Sequence, residues 1–121
     1  MSTINWDNKS VGVRIHITYS DIENLMYSMA QGSGYWCKYA GDLGYVKTVH
    51  DMLENKYELK LEDFEDEKAR YTLTLGKIKK GLTIMAKKYP KHFASILEEN
   101  TDSVTADVLL QCALFGELIY G

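Results

Sequence analysis

Hydrophobic positions first fall into step at residues 11–18, where Val11, Val13, Ile15 and Ile17 alternate with Gly12, Arg14, His16 and Thr18. Period two with one apolar face predicts a half-buried strand. The period then changes. Ile22, Leu25, Met26 and Met29 recur at i, i+3, i+4 and i+7, so residues 20–31 are expected to form an amphipathic helix. Ser20 and Glu23 have the spacing of a capping box, and Gly32 is placed to end the helix in a left-handed cap. Val46, Val49, Met52 and Leu53 predict a short second helix.

Alternation returns at Tyr57, Leu59 and Leu61 and again at Tyr71, Leu73 and Leu75, joined by the charged run Glu62–Lys68. Two such runs with a polar connector predict an antiparallel hairpin, the connector being a solvated loop. Ile78, Leu82, Met85 and Ala86 keep helical spacing to about residue 88, and Pro90 suits the first turn of a helix carrying Phe93, Ile96 and Leu97. Asn100 and Thr101 interrupt the pattern. Ser103 or Thr105 can cap a last helix, which is apolar nearly all round and is therefore expected to be the central buried one, with Gly116 ending it. The whole reads as one α+β domain: a small antiparallel sheet of about three strands packed with four or five helices.

Composition supports a packed core, since 45% of the 121 residues are hydrophobic and 26% charged. The formal charge of −3 supplies no basic stripe, which disfavours nucleic-acid binding. The first residues show no signal-peptide pattern and no window is long and apolar enough to span a membrane, so a cytoplasmic protein is expected. Cys37 and Cys112 make neither a disulfide framework nor a metal pair, and are expected as reduced thiols.

Candidate chemistry is sparse. The histidines 16, 50 and 92 are scattered, and His50 and Asp51, as helix neighbours, point apart. The acidic run lacks the spaced ligands and glycine of a calcium loop. No metal, cofactor or catalytic set is expected, and Cys37, the one tempting nucleophile, is better read as a small buried hydrophobe. The aromatic residues say more. Tyr35, Trp36, Tyr39 and Tyr45 share one glycine-rich stretch, and nine tyrosines exceed what a core needs, so some rings are expected to line a surface.

Two segments carry a resemblance. Ala30-Gln31-Gly32-Ser33-Gly34-Tyr35-Trp36-Cys37 resembles the "AxEGGxxYW(C)" segment of a small protein family encoded by phages and prophages of Gram-positive bacteria. The stretch from Ala106 to Gly121 is similar to that family's "ADxxxQYALFGExVYG" ending, with Cys112 in place of the tyrosine. Gln31 and Ser33 replace the motif's glutamate and second glycine. The resemblance implies a phage accessory protein in the host cytoplasm that acts by binding.

The expected function is accordingly non-enzymatic counter-defence: sequestering a small nucleotide-derived host immune signal. The expected pocket is walled by Tyr35, Trp36, Phe115 and Tyr120, with Lys38 or a lysine of 77–80 meeting phosphates. The alternative is a protein–protein inhibitor of a host defence nuclease or effector, acting through the acidic connector Glu62–Glu67. The apolar ending must pack against the domain or a second protomer, and a homo-oligomer is expected.

Overall fold

A computed structural model describes residues 15–66 and 68–121. Helix α1 spans Tyr19–Gly32, strand β1 Cys37–Lys38, a 3-10 turn Ala40–Gly44 and helix α2 Val46–Leu53. Strands β2 (Leu59–Asp63) and β3 (Arg70–Leu73) follow, then α3 (Leu75–Lys88), α4 (Pro90–Leu97) and α5 (Ser103–Phe115). The fold is α+β: among the described residues, a three-stranded antiparallel sheet in the order β1-β2-β3, with five α-helices.

The sheet's third strand is not the expected one. Residues 15–18 join no ladder, and residues 11–14 lie outside the described residues. The edge is made instead by the two residues of β1, with Cys37 opposite Asp63 and Lys38 opposite Glu62. Alternation cannot reveal a two-residue strand. The hairpin is as expected, with Leu59 opposite Leu73 and Leu61 opposite Tyr71.

The α1 cap lies two residues earlier than the Ser20–Glu23 pairing. Thr18 Oγ1 accepts from the Asp21 amide and Asp21 Oδ2 from the Thr18 amide, both at 3.1 Å. Glu23 is thereby left to meet His50 Nε2 at 3.1 Å. Gly32 is the last residue of α1 rather than a left-handed cap, and its reason is proximity. A Cβ there would lie 2.1 Å from the Ser103 carbonyl oxygen, so α1 ends against the start of α5.

Helix α5 is capped by Asp102, whose carboxylate accepts from the Thr105 amide at 2.8 Å, not by Ser103 or Thr105. It is the central helix, buried from Thr105 to Cys112 and packed against α1, α3, α4 and β3. Gly81 of α3 allows a close crossing with α5, since a Cβ would stand 2.9 Å from the Ala113 backbone. Gly116 then takes the left-handed conformation, φ 77°, and releases the chain. The buried apolar side chains form one cluster, with Met26, Met29, Leu43, Met52, Leu61, Leu73, Ile78, Met85 and Leu109 fully enclosed.

Candidate functional site

The two segments that carry the resemblance meet on one carboxylate. Asp107 projects from the second turn of α5 into the interior, 7% exposed. Its Oδ1 accepts from Ser33 Oγ and from the Trp36 indole Nε1, each at 2.7 Å. Its Oδ2 accepts from the Tyr35 phenol at 2.6 Å and Gln111 Nε2 at 3.0 Å. A buried carboxylate is tolerable only when its lone pairs are met, and here four donors meet them. The chain between α1 and β1 folds back so that Ser33, Tyr35 and Trp36 all reach it. The Trp36 and Cys37 amides both donate to the Ser33 carbonyl, at 3.2 and 2.9 Å, closing that turn.

Gln111, one turn further along α5 and fully buried, handles the end of the chain. Its Oε1 accepts from the amides of Ile119 and Tyr120, both at 2.8 Å, and its Nε2 donates to the Tyr120 carbonyl at 3.2 Å. Asp107 and Gln111 are four apart, the spacing that puts two side chains on one helix face. Together they tie residues 33–36 and 119–120 to the same stripe of α5.

The rings follow. Tyr120 stacks on Trp36 with centroids 5.1 Å apart and planes 11° from parallel. Phe115 leans on Trp36 at 5.4 Å and meets Tyr71 edge-on at 4.9 Å. The Tyr120 hydroxyl donates to Asp63 Oδ2, while Asp63 Oδ1 accepts the Glu65 amide at 2.8 Å. Asp63 is therefore no part of a solvated loop: it ends β2, buried against the tail, and Glu62 beside it pairs with Arg70 at 2.6 Å. Glu65 and Asp66 are exposed, as a connector should be.

Tyr35, Trp36, Phe115 and Tyr120 thus come together as expected, but not as an open wall. Trp36 is 1% exposed and is covered by Tyr120. What faces solvent is a cleft of about 320 Å³ lined chiefly by Tyr35, His92, Val104, Leu118 and Tyr120, with Asp107 at its floor. That volume is at the small end of ligand sites, which run from roughly 300 Å³. Its described lining includes no lysine or arginine.

Lys38 lies on a neighbouring cleft with Asp63, Phe64 and Arg70, its ammonium 5.5 Å from the Tyr39 ring centroid. Asp63 borders that cleft and holds the Tyr120 phenol, so it separates the aromatic cluster from the cations. Among the lysines 77–80, Lys77 donates to the Thr72 carbonyl at 2.5 Å and Lys79 lines an apolar groove with Ile17 and Phe93, away from the rings.

The titrations are those of groups kept protonated. Burial and the Asp107 carboxylate push the Tyr35 phenol up to about 12. The hydrogen bond to Asp63, then burial, raises Tyr120. Burial, with Asp107 and Asp63 nearby, pushes the Cys37 thiol up to about 12, the opposite of what a nucleophile needs. Among the described residues, no group of three or more His, Cys, Asp or Glu is placed to hold a metal ion, and no helix is long and apolar enough to cross a membrane.

Sequence reasoning missed Ser33, Asp63, Asp107 and Gln111. One signal for two of them was present, since Asp107 and Gln111 are polar residues four apart in an otherwise apolar helix. No protein-family model, no curated protein and no solved structure matches the chain.

Proposed function

We propose that this chain is a non-enzymatic phage accessory protein of counter-defence type, which sequesters a small nucleotide-derived host signal at the Tyr35–Trp36–Phe115–Tyr120 cluster. The observation that carries the reading is the convergence of four aromatic rings, with hydrogen-bonding carboxylates at their edges, beside a cleft bearing Lys38 and Arg70. Flat rings with polar edges are what a nucleobase stacks on, and a cation must offset a phosphate in a net-acidic protein. The resemblance to a phage-encoded family supplies the setting.

A thermal-shift screen against cyclic nucleotides, cyclic dinucleotides and ADP-ribose derivatives tests the proposal. A ligand at 100 times its dissociation constant stabilises the fold by about 2.7 kcal/mol, a shift on the order of 10 °C for this chain length. Exposed Lys38, changed to Glu, should weaken any hit without unfolding the protein. Silence across the panel from well-folded protein would count against sequestration. It would favour a protein partner, for which the exposed acids Glu65 and Asp66 are the charges to reverse first.

A further inference from the structure

Tyr120 is held in the manner of a bound ligand rather than a core residue. Its ring faces Trp36 and meets Phe115 edge-on at 6.1 Å, its hydroxyl reaches Asp63, and its amide and carbonyl are read by the two ends of the Gln111 amide. Among the described residues, no backbone–backbone hydrogen bond ties residues 117–121 to the rest of the chain. Side chains alone hold the segment: Gln111, Asp63, and Tyr89, whose phenol oxygen accepts from the Leu118 amide at 2.8 Å. Leu118 and Ile119 turn outward, Ile119 being 57% exposed. The left-handed Gly116 stands at the segment's root, where a change of backbone direction costs little.

Removing Tyr120 from this seat would uncover an indole face, one carboxylate oxygen of Asp63 without a donor, and the Gln111 amide offering an acceptor and a donor side by side. Asp63 Oδ1 keeps the Glu65 amide, so Oδ2 has room for a single N–H or O–H. A base whose exocyclic amino group reaches Asp63 meets that acceptor, since a carboxylate accepts from such an amino group, while the Gln111 amide, at the main-chain end of the Tyr120 seat, is left for a donor and an acceptor elsewhere on the nucleotide. A keto group in that place would leave the buried carboxylate unmet, and the ring N–H of inosine or uridine can reach Asp63 only by bringing its flanking keto oxygen against the same carboxylate. Lys38 and Arg70 line the cleft on the far side of Asp63, and with Arg70 paired to Glu62 it is Lys38 that is offered to an attached phosphate.

We propose that the Tyr120 seat is the binding site for an amino-bearing nucleobase, and that residues 117–121 form a displaceable strap occupying it in the free protein. This rests on the sequestration reading and names its ligand class and its gate. A protein that must open before binding keeps only its open fraction of the intrinsic affinity.

The test uses the full chain with Trp6→Phe, so that Trp36 is the sole reporter, titrated with the 5′-monophosphates of adenosine, guanosine, cytidine, inosine and uridine. At least one of the first three should change Trp36 emission, with inosine and uridine monophosphates roughly tenfold weaker or worse. Tyr120→Ala should tighten the preferred nucleotide by roughly tenfold or more, and Asp63→Asn should erase the preference for an amino group. Should Tyr120→Ala lose its helical circular dichroism, Tyr120→Phe carries the test: it keeps the stack, frees Asp63 and should tighten binding to a smaller degree. Binding that is indifferent to Tyr120 and to the amino group overturns the strap and leaves sequestration standing. No binding of any of the five by parent or variant overturns the amino-base seat, whereas sequestration itself falls only with silence across the wider thermal-shift panel.

Discussion

Replacing Asp107 by alanine should be among the most damaging single changes in the protein, and the hydrogen-bond geometry says by how much. Four donors lose their acceptor, but not equally. Tyr35 is 57% exposed and can turn its phenol to water, and Gln111 Nε2 keeps the Tyr120 carbonyl. Trp36 Nε1 and Ser33 Oγ belong to residues that are 1% and 0% exposed, and the indole N–H cannot be re-aimed. Each buried polar group left without a partner costs about 1–3 kcal/mol, so the pair costs about 2–6. Relief of the burial penalty on the carboxylate itself returns part of this, which sets the expectation near 3 kcal/mol.

Asparagine separates charge from shape. Its oxygen can keep Trp36 and Ser33, but its Nδ2 then faces Gln111 Nε2 at the 3.0 Å now bridged by a hydrogen bond. Gln111 cannot flip without surrendering the Ile119 and Tyr120 amides. Asp107→Asn should therefore cost about 1–2 kcal/mol, between parent and alanine. Urea unfolding followed by far-UV circular dichroism at constant m-value measures both. Stability of Asp107→Asn within about 0.5 kcal/mol of the parent, or an alanine variant no worse than the asparagine, would refute the reasoning.

Three further outcomes follow from the same contacts. Gly32→Ala forces a methyl against the Ser103 backbone and should destabilise by about 1–3 kcal/mol or more, with Gly81→Ala similar against Ala113; equal stability in either would show that the helices can separate freely. Thr18→Ala should cost about 1 kcal/mol while Ser20→Ala costs little, which distinguishes the observed cap from the one expected at Ser20, again by urea unfolding. The third concerns alkaline pH. Tyr35 rises from 10.0 to about 12 and Cys37 from 9.0 to about 12 on folding, so the folded chain holds these protons more tightly than the unfolded one. That stabilisation is complete below the unfolded values and disappears as pH rises through the folded ones. The melting temperature should fall from about pH 9 and steepest towards pH 12, and Tyr35→Phe should lessen the fall; a flat profile to pH 11 would contradict it.

The helices were legible because their signals are local. Ile22, Leu25, Met26 and Met29 declare a face by spacing, Pro90 starts a helix by its fixed φ, and the stretch from Val108 to Leu114 is apolar nearly all round, the mark of a central helix. The hairpin was legible for the same reason, in period two. The coming together of Tyr35, Trp36, Phe115 and Tyr120 was expected from the aromatic-rich stretch and the resemblance, not from any periodicity.

Only the tertiary structure decided the rest. Whether a tryptophan is wall or core depends on what covers it, and Trp36 is covered by a residue 84 positions away, the difference between 120 and 36. Asp63 reads as one more charge in an acidic run until β1 and Tyr120 close over it. Asp107 is a lone acid in an apolar helix until Ser33, Tyr35 and Trp36 arrive from the other motif. Periodicity reports which face of an element leaves water. It carries no information about which distant donor will meet a buried acceptor, because that pairing is fixed by how the elements pack and not by the spacing within any one of them.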